Sequence, residues 1–249
     1  KREQREALLY QLQESAGPAA ALPYLRDFAE RYGGPWVFAY ADTLEQLGRL
    51  DEAVDALARA ALGPGLNEEE RRAIGFRILE AGRIARATEV FEVLAAREPA
   101  NGPAVQQLLY LWGPRPVPEQ LDWLALRAEG APDAEQRALW LDHLIGGGGA
   151  QRALDLAAND PGPPDGPVFG SYLNALAALR LRTPLAEGLN LRILVEDRVD
   201  ALRHLGQIAG FNQLPAQSRA AYEKLLVQRP DDREALREAG LAASAEGDY

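Results

Sequence analysis

The sequence has no cysteine and no methionine in 249 residues, and only two histidines. Without cysteine, disulfides, thiolate metal ligands and thiol nucleophiles are all excluded. The same absence leaves the compartment open, because it suits the cytoplasm and the periplasm equally. His143 and His204 stand far apart and lack the one-turn spacing that lets two imidazoles share a metal ion. No nucleophile motif accompanies either one, so no catalytic residue, no metal site and no cofactor are expected. Aromatics are scarce, at 7%. No apolar run approaches the roughly 20 residues of a membrane-spanning helix, and no secretory leader is read in the sequence. Basic residues number 27 against 37 acidic ones, for a net charge of −10. That balance argues against a nucleic-acid grip, which needs a basic stripe, and suits a protein that stays dispersed in water. The lack of methionine has no physical account.

What the chain does have is one pattern written twice between Val37 and Pro99. The first copy reads Tyr40, Ala41, Leu44, Gly48, Leu50, Ala53, Leu57 and Ala60. The second reads Ile74, Gly75, Ile78, Gly82, Ile84, Ala87, Phe91 and Leu94. Gly48 recurs as Gly82 and Ala53 recurs as Ala87, at one and the same step. A fixed period of this size, about 34 residues, marks stacked repeats and not a single closed core. Each unit holds two helical stripes: Tyr40, Ala41 and Leu44 share one face, and Ala53, Leu57 and Ala60 another. Gly48 is expected to end the first helix and Asp51 to cap the second. Gly75 falls mid-helix, where glycine costs about 1 kcal/mol relative to alanine. The backbone of another helix packed against that point is expected to offset the cost.

A large residue, a small residue, a glycine turn, an alanine and a closing proline, in that order, resemble the tetratricopeptide repeat (TPR). Leu47-Gly48-Arg49-Leu50-Asp51-Glu52-Ala53 carries the resemblance in one unit. Leu202, Leu205, Gly206, Ala209, Tyr222, Leu225 and Pro230 carry it in another. Leu236, Ala239, Gly240, Ala243 and Gly247-Asp248-Tyr249 carry it at the end. The resemblance implies an all-α fold, a right-handed superhelical solenoid of TPR-like antiparallel helix pairs whose first helices line a concave groove. Chaperone-binding members clamp a C-terminal carboxylate with Lys and Asn at set groove positions. Here the matching positions hold Phe76, Gln207 and Leu241, so that clamp is absent as a set.

Taken in order, residues 1–249 read as a single solenoid of about seven helix pairs plus one extra helix. In the first repeat, Leu8, Leu9 and Leu12 form one stripe. Ala21, Leu25 and Phe28 form the other, with Pro23 in the first turn of that helix. Asn67 reads as a helix cap, followed by Glu68, Glu69 and Glu70 where the helix dipole favours negative charge. The fourth repeat is irregular: Gly113-Pro114-Arg115-Pro116 replaces the glycine turn, and Pro118 starts the next helix. Trp112 and Trp123 beside that turn either anchor a partner or fill a core that the turn has widened. Asp133 and Gln136 read as a cap and its reciprocal partner. The glycines from Gly146 to Gly149 lack the following Lys-Ser/Thr of a phosphate loop, so they read as a turn. The stretch 161–167 marks an irregular joint. Ala186, about one repeat after Ala153, keeps the register beyond it, and Thr183-Pro184 starts a helix. Because the chain opens on a lysine and stops at a turn after an unpaired helix, it is expected to be a fragment of a longer repeat protein.

The groove candidates are Tyr10, Phe38, Phe76 and Tyr110, spaced at about one repeat each. Exposed, such a ladder suits an extended peptide or an amphipathic helix, and its rings also stack on sugars. Turned inward, the same residues complete the core. Arg72, Arg203 and Arg237 fall at matching positions and either bind carboxylates bidentately or form ion pairs. The expected function is a non-catalytic protein–protein interaction scaffold. The Ala, Arg, Leu, Gly and Pro content looks like that of a bacterial protein from a high-GC genome. Long degenerate arrays of this kind are similar to the repeat regions of bacterial exopolysaccharide export proteins, of the type that serves cellulose synthase and the Pel system. In those families the array lies in the periplasm before an outer-membrane barrel and recruits synthesis or modification enzymes. The resemblance therefore implies a periplasmic scaffold with such enzymes as partners. A cytoplasmic adaptor or assembly factor, and direct binding of a polysaccharide chain, stand as alternatives. Neither nucleic-acid binding nor membrane insertion by this stretch is expected.

Overall fold

The computed structural model describes residues 7, 10–12 and 14–247. Leu8, Leu9, Asp248 and Tyr249, which complete two of the terminal patterns, lie outside the described residues. Every regular element among the described residues is helical. Ahead of α1, the described residues up to Ala16 are already in helix. Then follow α1 (Pro18–Tyr32), α2 (Pro35–Gln46), α3 (Leu50–Leu62), α4 (Glu68–Glu80), α5 (Ile84–Ala95) and α6 (Pro103–Trp112). After an irregular turn come α7 (Pro118–Glu129), α8 (Ala134–Gly146), α9 (Ala150–Asn159), α10 (Pro167–Ala178), α11 (Arg182–Val195), α12 (Val199–Phe211), α13 (Pro215–Gln228) and α14 (Arg233–Glu246). The chain forms two compact units that divide between Gly113 and Pro114, inside the turn of the fourth repeat. The stretch 161–167 lies within the second unit.

In each unit a helix packs on its neighbours in sequence and on the matching helix of the next repeat, as α3 does on α5, α8 on α10 and α11 on α13. This is the contact pattern of stacked helix pairs, in which each repeat buries its apolar face on the next. The pairs share a turn. The first helix of successive repeats ends in a left-handed residue: Gly48 (φ 72°), Gly82 (74°), Gly113 (74°), Gly148 (91°), Arg180 (55°), Gln213 (57°) and Gly247 (82°). Glycine takes that conformation without strain; Arg180 and Gln213 are held in it by the helices on either side.

The second helices share a start. In α3, α5, α9 and α13 the fourth residue is small and buried: Ala53, Ala87, Ala153 and Ser218. Its amide makes the helix's first backbone bond, to Arg49, Arg83, Gly149 and Leu214 respectively, at 2.9–3.1 Å. In α11 the equivalent bond runs from Leu185 to Leu181 at 3.0 Å. The register position there is thus the fully buried Leu185, and Ala186 stands beside it, half-buried.

Two glycines show how a pair closes. A Cβ on Gly75 would lie 2.9 Å from the Phe91 ring, and one on Gly206 would lie 2.6 Å from the Tyr222 ring. Each glycine therefore makes room for an aromatic side chain of its own partner helix, and not for a helix backbone. Both rings are buried, a contribution of about 2 kcal/mol each on area alone. In the sixth repeat the arrangement is reversed, and Gly188 of α11 receives Leu173 of α10.

Helix starts follow the local chemistry. Asn67 and Glu70 form a reciprocal capping box at 2.8 and 2.9 Å. Asp133 accepts from the Gln136 amide at 2.7 Å, and Pro118 opens α7. Asp51, by contrast, lies inside the first turn of α3 and pairs with Arg83 of the next repeat at 2.5 Å, so it does not cap. Pro23 is interior to α1, which already starts at Pro18. Likewise α11 starts at Arg182, before Thr183-Pro184. Of the tryptophans near the irregular turn, Trp112 is half-buried. Trp123 packs edge-on against the buried Trp140 at 5.5 Å, under the Arg127 guanidinium.

Candidate partner-binding faces

The aromatic candidates all fall in the first unit. Phe76 follows Gly75 on α4, so it stands about 100° round the helix from the packed position. It is 40% exposed and rests one edge on Phe91 at 5.2 Å. Tyr110, one repeat later on α6, is 79% exposed, and Tyr10 is 65% exposed. Phe38 on α2 is half-buried. The residue of α2 that stands one repeat before Phe76 is Asp42, which pairs with Arg77 at 2.5 Å; Arg77 also reaches Glu45 at 2.9 Å. The face therefore alternates exposed rings with one ion cluster.

The arginine candidates are engaged. Arg72 of α4 donates to Glu98 at 3.2 Å, and Glu98 in turn accepts from the Ala104 amide at the start of α6 at 2.7 Å. Arg203 of α12 donates to Asp232 at 2.6 Å and to Glu234 at 2.7 Å, while Asp232 accepts from the Ala235 amide at the start of α14 at 3.0 Å. The device is the same twice: an arginine of one first helix holds the carboxylate that caps the next first helix. Hydrogen bonds from Arg203 and from the α14 amides hold the Asp232 carboxyl below its ordinary range. Arg237 is exposed and meets its neighbour Glu238 at 2.6 Å.

Buried charges fix the turns between repeats. The buried Arg71 donates to the carbonyls of Leu66, Ala61 and Gly63, closing the α3–α4 connection. Arg192 does the same for Pro164 and Gly166 at 2.6 and 2.9 Å, and pairs with Glu196 at 2.8 Å. Glu196 is 4% exposed. Burial alone pushes its carboxyl up, but hydrogen bonds from the Arg198 side chain and amide, with the charge of Arg192, outweigh burial and hold it at about 2.

Nothing in these faces brings the two histidines together. His143 lies edge-on to Trp140 at 5.8 Å, and His204 is exposed on α12. Among the described residues no cluster of His, Asp or Glu is placed to hold a metal, and no helix is long and apolar enough to cross a membrane. The feature that sequence reasoning missed is a cavity of about 470 Å³ in the first unit, between α1, α2 and α3 and lined in part by Arg59 and Tyr40. Asp55 and Arg59 have the spacing of a helix ion pair. Instead Arg86 of the next repeat takes the Asp55 carboxylate at 3.0 Å, a contact that no local spacing signals.

No protein-family model matches the chain, and no curated protein matches it significantly. Among solved structures it is similar to a tetratricopeptide repeat protein from Parabacteroides merdae, with 12% identity over 96% of this chain and 98% of that one, at a TM-score of 0.35. A thermophilic TPR protein of Thermus thermophilus shares 21% identity over 82% of this chain and 94% of its own, at 0.31. The TPR2AB-domain:pHSP90 complex of yeast Sti1 shares 12% over 98% and 97%, at 0.33. Likenesses this loose add nothing to the repeat reading, which rests on the chain's own paired helices and their period.

Proposed function

We propose that this chain is a non-catalytic scaffold of the tetratricopeptide type that holds a protein partner on the exposed face of its first helices. The observation that carries the reading is the exposure of large rings on successive first helices, Phe76 at 40% and Tyr110 at 79%, with Tyr10 before them in sequence order at 65%. Large rings kept in water on a rigid helix row suit recognition of an extended segment or a helix, which inserts apolar side chains between them. Phe38 is half-buried on α2, and Arg237 supplies an exposed cation on a first helix of the second unit. Arg72 and Arg203 contribute by fixing first helices in their own units. The setting we infer is a bacterial exopolysaccharide export complex, with the chain in the periplasm and a synthase or modification enzyme as partner. What supports it is the irregular array and the Ala/Arg/Leu-rich composition.

The test is a pull-down from the source bacterium with the chain as bait, beside a bait carrying Phe38→Ala, Phe76→Ala and Tyr110→Ala. Retention of a polysaccharide synthase or modifying enzyme by the first bait and its loss from the second is the expected result. Retention of cytoplasmic proteins alone would favour an adaptor of that compartment. Glucan oligomers that bind the parent and not the variant would turn the row into a sugar-stacking track. Equal retention by both baits would remove the aromatic row from the binding face.

A further inference from the structure

The cavity in the first unit is built by the second helices of two successive repeats, α1 and α3, over the first helix between them. Val37 and Tyr40 of α2, Ala56 and Ala60 of α3 and Tyr32 of α1 line it. Apart from its charged residues the lining is therefore small or apolar, with two tyrosines. Three arginines stand at its rim, and their pairing sets them apart. Arg26 is neutralised by Glu30 at 2.9 Å, and Arg31 by Asp27 at 2.7 Å. Arg59 makes one hydrogen bond among the described residues, from Nε to the Asp55 carbonyl at 3.2 Å. Among the described residues its terminal amino groups meet no carboxylate, and Arg86 takes the one that helix spacing would supply.

We propose that this cavity binds a carboxylic acid with a short apolar body. The carboxylate lies against the free edge of the Arg59 guanidinium, which presents parallel donors in the geometry a carboxylate fits. The apolar body lies on Val37, Ala56 and Ala60, between the rings of Tyr32 and Tyr40. A volume of about 470 Å³ is within the range of small-molecule sites. A monoanion fits better than a phosphate. Among the described residues one guanidinium has no carboxylate and the other two already carry counter-ions, in a chain whose net charge of −10 disfavours a dianion. The site is separate from the aromatic face: Tyr40 is two positions on from Phe38 and so about 200° round the same helix.

The carboxylate has two sources, a free acid or the C-terminus of a peptide, and the experiment separates them. Isothermal titration uses 3-phenylpropionate, 3-phenylpropanamide, N-acetyl-Ala-Phe and its C-terminal amide as probes. The proteins are the parent chain, Arg59→Ala, Arg59→Lys and Ala56→Phe, which fills the cavity and keeps the charge. Acids are expected to bind the parent and amides to bind at least tenfold more weakly. Arg59→Ala and Ala56→Phe each lose at least tenfold in acid affinity, and Arg59→Lys loses less than Arg59→Ala. Tighter binding of the peptide acid assigns the site to chain termini, and tighter binding of phenylpropionate to free acids. Circular dichroism melts confirm that the variants fold, as expected for an exposed arginine. A Phe76→Ala/Tyr110→Ala control leaves acid binding unchanged, so failure of the aromatic face and failure of this site are distinguishable. No binding of either acid, equal binding of acid and amide, or unchanged affinity in Arg59→Ala overturns the proposal.

Discussion

Alanine at Gly206 should destabilise the protein, while alanine at Gly240, one repeat later in the same register, should stabilise it. The difference lies in what each new methyl group meets. At Gly206 it would sit 2.6 Å from Cε2 and 2.8 Å from Cζ of Tyr222, where carbon atoms rest at about 3.5–4.0 Å. The ring cannot step back freely, because Leu202, Leu225 and Ala235 enclose it. Overpacking of this kind costs about 1–3 kcal/mol, and alanine's better helix propensity offsets about 1 kcal/mol. The net expectation is a loss of about 1 kcal/mol. At Gly240 no atom of the described residues lies within 4 Å, so only the propensity gain of about 1 kcal/mol remains. In a chain of this size each kcal/mol moves Tm by about 2–4 °C. Thermal melts and urea titrations followed by circular dichroism would read both signs. A double variant, Gly206→Ala with Tyr222→Leu, removes the ring edge that clashes and should show a coupling of about 1–2 kcal/mol between the two sites. If Gly206→Ala raises Tm as Gly240→Ala does, or if the two changes are simply additive, the ring is not seated on the glycine and the account of pair closure is wrong.

The remaining predictions concern turns and buried charge. Glu196→Ala leaves the Arg192 guanidinium buried beside backbone carbonyls without its carboxylate, and a loss of about 3 kcal/mol is expected in urea unfolding. In the parent the Glu196 carboxyl titrates near 2 in the fold and near 4.5 when free; its stabilisation is complete above about pH 5 and drains away as pH falls from about 4.5 towards 2, so the Tm gap between parent and Glu196→Gln should close over that window. Arg71→Met strips three carbonyls of their buried donor and should cost about 3 kcal/mol, with faster amide hydrogen exchange concentrated in the α3–α4 connection. Gly82→Ala at a left-handed turn should lose about 1 kcal/mol, whereas Arg180→Ala at the equivalent turn should be nearly neutral in the same melts, because the parent already carries that strain.

The helix pairs were legible because their signals are local. A constant period, glycine at Gly48 and Gly82, and alanine at Ala53 and Ala87 all coincide with observed turns and helix starts. The register blurred where another residue type does the same job. Arg180 and Gln213 adopt the left-handed turn without being glycine. Leu185 occupies the small position of its helix, so the alanine pattern points one residue on, to Ala186. The caps were legible where the side chain bonds within its own turn, as at Asn67 and Asp133. The reading of Asp51 failed because its partner, Arg83, is one repeat away. For the aromatic row, period alone could not separate exposed from packed positions; the fold buries Phe38 in part and leaves Tyr110 in water. The acid cavity had no sequence signature, since its walls come from helices of two repeats.

Pairs that reach from one repeat to the next organise much of the charge in this chain. Helix spacing offers Asp55 to Arg59, yet Asp55 goes to Arg86. Asp51 goes to Arg83, Asp122 to Arg152 and Asp42 to Arg77, each about one repeat along. Exposed pairs of this sort contribute little individually, about 0–1 kcal/mol, so they do not explain stability. What they select is register: shifting one helix by a turn against the next moves each carboxylate about 5.4 Å from its arginine, and several pairs fail together. Where the pair is half-buried and also caps a helix, as Arg203 with Asp232 and Arg72 with Glu98, it ties the start of one repeat to the body of the last. At Asp55 the same pairing also leaves a local arginine over. Arg59 is that residue in the first unit, and it stands at the rim of an apolar cavity. A ligand carboxylate there would occupy the place that Asp55 gave up, so binding and repeat register should be linked: Arg86→Ala, which frees Asp55 to return to Arg59, is expected to weaken acid binding without touching the cavity wall.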